Sequence, residues 1–175
     1  MINLFLKLKS WQLFLIIVLL PTVLFLSFGS LSVFSFSIYS LHLLWIYSIA
    51  NFFSSHLSPK PKYLNLSFIV SLLYIIYYSF YAISYLQGSQ GSQTTFLSHF
   101  SIQLIFMVAF IYLIYQAAEG IRSAELNRKV FFRDTLTDFF CILFFPIGLW
   151  LIQPRVIKYY NSKEDIVNTE QKSSA

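Results

Sequence analysis

His42 is the most isolated polar residue in a sequence otherwise poor in groups that do chemistry. It sits in an apolar run with no Lys, Arg, Asp or Glu within fifteen positions on either side. A buried imidazole there either bonds quietly to a neighbouring helix or serves as a ligand or proton-handling group. Helical spacing sets it about 140° around from a face carrying Ser37, Ser40, Ser48, Asn51 and Ser55, beside Ser35 and Tyr39. A second stripe runs through Ser67, Ser71, Tyr74, Tyr78, Tyr81 and Tyr85, at spacings of 4, 3, 4, 3 and 4. If consecutive helices alternate in direction, His42 comes level with Tyr74, and Gln103 lies about one turn further out. His42, Tyr74, Tyr78 and Gln103 are therefore candidate contacts for a lipid head group or small amphiphile. Packing is the competing reading, since small hydroxylic residues also let membrane helices approach closely.

A second group of candidates lies near the C-terminus. Glu119, Asp134 and Asp138 alternate with Arg122, Arg128, Lys129 and Arg133. Paired carboxylates there can support acid–base chemistry or hold a metal beside a lipid phosphate, but the alternation favours solvated ion pairs. Asp138, Gln153 and Arg155 are the polar candidates around the last apolar segment. His56 and His99 belong to different depths from His42, so a three-histidine metal site is not expected. The sequence has no G-x-S-x-G, H-E-x-x-H or phosphate-cradling glycine loop. No catalytic residue, cofactor or metal is assigned. The lone Cys141 excludes an intrachain disulfide and reads as a buried thiol.

The elements that position these residues follow from the charge distribution. The 175-residue chain is 57% hydrophobic and only 11% charged, with a mean hydropathy of +0.67. Soluble domains carry about 25% charged residues. Residues 10–59, 63–118 and 139–154 contain no Lys, Arg, Asp or Glu at all. At roughly 20 residues per membrane span, each long block holds two spans and the short block at most one. The expected fold is an all-α integral membrane protein, with four transmembrane helices and a fifth short or re-entrant hydrophobic segment. The spans fall at about 11–28, 32–53, 64–86, 96–118 and 139–153, in a single bundle covering residues 1–160.

Gly29-Ser30 forms the first turn, and Gly88 to Gln93 form a flexible tandem tripeptide loop. Residues 119–137 continue the fourth helix into water, ending near Phe131-Phe132. Thr135-x-x-Asp138 has the form of a capping box for a new helix, and residues 161–175 form a polar, disordered tail.

Orientation follows from Lys and Arg. The N-terminus, residues 60–62 and residues 119–138 hold two, two and four of them, against none in the opposite loops. That side is the cytoplasm. The tail adds four more, so a re-entrant last segment gives 12 against 0 and a fifth crossing gives 8 against 4. The charge rule favours re-entry and hydropathy favours crossing.

The C-terminal third also resembles a known group. Ala124-Glu125-Leu126-Asn127-Arg128, Asp138-Phe139-Phe140 and the run Phe144-Phe145-Pro146-Ile147-Gly148-Leu149-Trp150-Leu151-Ile152-Gln153-Pro154-Arg155 resemble the ending of small, uncharacterised bacterial multi-pass membrane proteins. The likeness covers about residues 117–157. It implies a bacterial cytoplasmic (inner) membrane and carries no activity with it.

Three function classes remain. The first is a non-enzymatic accessory or scaffold subunit that meets another membrane protein, or a second copy, within the lipid bilayer. The second is a small transporter, channel or membrane-permeabilising protein; the third is a lipid-binding or lipid-modifying enzyme. The dispersed positive charge argues against nucleic acid as a partner.

Overall fold

The computed structural model describes residues 2–28, 31–54, 57, 61–86 and 93–173. The Gly29-Ser30 turn, His56 and most of the tripeptide loop lie outside the described residues. Among those described, every regular element is a helix. The order is α1 (Ile2–Lys7), α2 (Ser10–Phe14), a π-helical stretch (Leu15–Leu19), α3 (Leu20–Phe28), α4 (Leu31–Phe53), α5 (Leu64–Leu86), α6 (Gln93–Leu126), α7 (Phe132–Leu143) and α8 (Phe145–Ser173).

Four stretches are long and apolar enough to cross a membrane: Ser10–Ser27, Phe36–Phe53, Leu64–Tyr81 and Phe100–Leu126. The fold is therefore an all-α membrane bundle, with α7 and α8 adding a hydrophobic pair bent by 120°.

Local chemistry explains the interruptions. Pro21 has no N–H and its ring crowds the carbonyl four residues back. The helix meets this by widening ahead of it, where the Leu20 N–H reaches the Leu15 carbonyl five residues earlier. At Asn127 the backbone enters the left-handed region at φ 48°, which asparagine tolerates better than most residues. There α6 ends, five residues short of the Phe131-Phe132 terminus that the sequence suggests.

α7 then opens at Phe132, and the Phe131 N–H donates to Asp134 Oδ2 at 3.2 Å. That interaction replaces the expected Thr135–Asp138 capping box. Thr135 instead donates back to the Phe132 carbonyl at 2.8 Å. Phe144, at φ −86° and ψ 73°, breaks the chain between α7 and α8. Pro146 falls in the first turn of α8, where a missing N–H costs nothing. α8 continues through the region read as a disordered tail; its Glu, Gln and Lys content and lack of glycine suit a helix.

α4 is the hub of the bundle. It packs against α1, α3, α5 and α6, and Leu43, Trp45, Ile46, Ile49 and Phe53 are fully buried. α6 presses close at Gly120, where an added Cβ would stand 2.6 Å from Phe53 Cβ. The α7–α8 bend depends on Gly148 in the same way, because a Cβ there would overlap the Cys141 carbonyl oxygen and lie 2.9 Å from its carbon.

Both arms of the bent pair return to one end of the bundle. At the bend Phe145 lies 4.6 Å from the His42 ring, midway along α4. Further along α8, Tyr159 meets Phe53 and Tyr160 meets Phe52 at the end of α4. Lys7 Nζ lies 5.2 Å from the Tyr160 ring centre. α7 begins beside α6, with Phe132 stacked 6.0 Å from Tyr115. Residues 139–153 are thus no single straight helix, but the two sides of an element that reaches the level of His42 and turns back.

Candidate functional site

The seven candidate residues divide into two separate groups. Asp138, Gln153 and Arg155 lie where the bent pair meets the charged ends of the other helices. His42, Tyr74, Tyr78 and Gln103 line a groove between α4, α5 and α6.

At the charged end, Arg155 on α8 is held between two carboxylates. Its Nε donates to Glu125 Oε1 at 2.5 Å and its Nη2 to Glu125 Oε2 at 2.6 Å. Nη1 and Nη2 donate to the two oxygens of Asp138 at 2.6 and 3.1 Å. Arg122 extends the network to Glu125 Oε2 at 3.0 Å and to the Asp134 carbonyl at 3.1 Å. Its Nε also lies 3.7 Å from Asp138 Oδ2. Two arginines and two carboxylates therefore cancel, and one guanidinium joins α6, α7 and α8. The Asp138 side chain is only 3% exposed, so the expected solvated pairing does not describe it. Arg128 turns to Asp134, 3.4 Å away. Glu125 is central here; its helical spacing to Arg128 and Lys129 suggests ion pairs along one helix, but its partners are Arg122 and Arg155, and Arg128 is taken by Asp134.

Gln153 is fully buried and uses both ends of its amide. Its Oε1 accepts from Trp45 Nε1 at 2.9 Å, and its Nε2 donates to the Phe5 and Leu8 carbonyls, each at 2.8 Å. Carbonyls at a helix C-terminus lack partners within the helix, so Gln153 caps α1 while pinning it to α4. Trp45 was not a sequence candidate, and its partner lies 108 positions away.

The groove is of another kind. Phe34, Ile38, Tyr39, His42, Ile75, Phe106, Phe110 and residues 143–146 line a chamber of about 530 Å³. An adjoining cavity of about 340 Å³ shares Tyr39, Ile75 and Phe106 and adds Phe36, Tyr74, Tyr78, Ser79 and Gln103. Volumes of this order suit small-molecule sites. No charged residue lines either space.

Near-parallel aromatic rings run along it. Tyr74 stacks on Tyr78 at 6.1 Å and on Phe106 at 4.2 Å, and Phe106 stacks on Phe110 at 5.4 Å. His42 meets Phe110 edge-on at 6.1 Å, ending the stack, and itself lies flat on Trp45 at 5.9 Å.

His42 Nε2 is buried without a hydrogen-bond partner, as are Ser40 Oγ and Ser71 Oγ. The backbone of Ile142, on α7, lies within hydrogen-bonding reach of the imidazole ring. Tyr74 is partly buried, while Tyr78 and Gln103 stand exposed at the outer lip. Ser67 and Ser71, lower on the same α5 stripe, are buried against neighbouring helices. The stripe thus serves packing at one end and the groove at the other.

Among the described residues, no three His, Cys, Asp or Glu side chains come together to hold a metal. For His99 only the helical backbone is described. Comparison with protein-family models, with curated proteins and with solved structures returns no match.

Proposed function

We propose that this chain is a non-enzymatic accessory or scaffold subunit of a membrane complex, set in the bacterial cytoplasmic membrane with its N-terminus in the cytoplasm. The observation carrying this reading is the neutral network of Arg122, Glu125, Asp138 and Arg155. A lipid-modifying centre needs a carboxylate free to exchange a proton or bind a phosphate-held metal. Here Asp138 and Glu125 are both engaged by Arg155, and their charges serve to join helices. The absence of charge along the groove's lining also weighs against an ion-coupled carrier.

What the molecule offers a partner is shape and apolar surface. Around the α7–α8 bend, Phe140, Phe144, Ile147, Trp150 and Leu151 are all exposed, an aromatic and aliphatic surface at the level of His42. The distribution of Lys and Arg supports the orientation, and the resemblance of residues 117–157 supports the bacterial setting.

The test is purification of the tagged protein in mild detergent, with mass spectrometry of everything retained. A membrane protein recovered in stoichiometric amount, and lost on Trp150→Ser with Ile147→Ser, is the expected result. A chain purified alone, with those substitutions changing nothing, overturns the reading.

A further inference from the structure

The paired cavities and the unmet nitrogen of His42 call for an account that packing does not supply. Ser40 and Ser71 can turn their hydroxyls toward the carbonyl one turn back, as Ser48 and Ser79 do. An imidazole in the middle of an apolar helix has no such local partner, and a buried polar atom left unpaired is costly. His42 forms part of the wall of the larger chamber, so a ligand atom in that chamber can meet the deficit.

We infer that the groove binds a neutral lipid whose uncharged head carries a hydroxyl group able to donate to His42 Nε2. The head lies in the aromatic chamber at His42, and the rest of the molecule follows the adjoining cavity past Tyr74 and Tyr78.

Three observations select this class. The lining of both cavities has no Lys or Arg to meet a phosphate and no Asp or Glu to meet an ammonium group. His42 and Ile75 stand midway along α4 and α5, at the depth of the hydrocarbon core, where a charged head would pay heavily for desolvation. The stacked faces of Tyr74, Phe106 and Phe110 suit a flat or chain-like apolar body. This assignment stands apart from the scaffold reading: a lipid in the groove needs no protein partner, and a protein partner needs no lipid.

Native mass spectrometry of the purified full-length protein decides it, with dioleoylglycerol (hydroxyl head), decylubiquinone (carbonyl head) and dioleoylphosphatidylglycerol (anionic head) as probes. Dioleoylglycerol is expected to bind in a single copy, and neither the quinone, which can only accept a hydrogen bond, nor the anionic lipid is expected to displace it. His42→Leu should weaken retention about tenfold, close to the effect of one good polar contact. Ile75→Trp, which fills the wall common to both cavities, should abolish it. Both variants are compared at wild-type thermal stability, and His42→Phe replaces His42→Leu if that variant fails to fold. Failure of dioleoylglycerol to bind overturns the assignment. So does preference for the anionic lipid, or undiminished retention in the folded variants.

Discussion

A single guanidinium bridging two carboxylates makes Arg155 the residue on which the charged end depends. Removing it leaves Asp138 nearly buried with a charge that the more distant Arg122 only partly offsets. Breaking a buried pair from one side costs on the order of 3 kcal/mol, so Arg155→Leu should lower the thermal midpoint in detergent markedly. Adding Asp138→Leu should recover part of the loss, because the stranded charge goes with it. If the double variant is no better than the single, the pair is not coupled as the geometry indicates. Gln153 makes three hydrogen bonds, which at about 0.6 kcal/mol each in a membrane protein come to roughly 2 kcal/mol. Gln153→Leu should cost about that much and release α1, so trypsin should cut sooner at Lys7 and Lys9. A cleavage rate equal to wild type would show that α1 is held by other contacts. Sequence identifies Gln153 and Arg155 as polar residues in an apolar setting, but not what satisfies them. Their partners Trp45, Phe5 and Glu125 lie 30 to 148 positions away, and only the tertiary fold brings them near.

Among the elements, the long helices and the bent pair were legible to different degrees. α4, α5 and α6 follow from charge-free runs, because a lipid setting demands a continuous helix wherever charge is absent for that length. The ends of α6 and α7 do not follow, since they depend on Asn127 adopting a left-handed backbone and on Asp134 meeting the Phe131 N–H. The tight α7–α8 contact rests on Gly148, whose missing Cβ leaves room for the Cys141 carbonyl. Backbone cannot yield as a flexible side chain can, so Gly148→Ala should cost about 3 kcal/mol, at the upper end for overpacking. Gly120→Ala, directed at Phe53 Cβ on another straight helix, should be felt mainly as separation of α4 from α6. Thermal midpoints of the two variants, read with the accessibility of Cys141 to a small maleimide, distinguish them. Gly148→Ala should speed labelling by opening the bend and Gly120→Ala should not, whereas equal labelling in both would mean that the bend does not rely on Gly148.

For the whole molecule, the charge count and the contacts of α8 bear on the same question. Counting Lys and Arg favours a last segment that re-enters, and hydropathy favours one that crosses; sequence alone offers no way to weigh them. The fold ties Lys7 to Tyr160, Gln153 to Phe5 and Arg155 to Glu125. The N-terminal helix, the end of α6 and the second half of α8 thus share one end of the bundle. In a membrane, groups in direct contact at one end cannot face opposite compartments, so these contacts predict a tail that emerges on the side of the N-terminus. With Cys141 replaced by serine, single cysteines at Lys129 and at Asn161 should react with an impermeant maleimide only from the cytoplasmic face, in intact cells against inverted vesicles. A cysteine at Asn161 labelled from outside the cell would require α7 and α8 to straighten into a fifth crossing. That would pull Arg155 away from Glu125 and Gln153 away from α1, so the same experiment tests the orientation and the contacts that hold the molecule together.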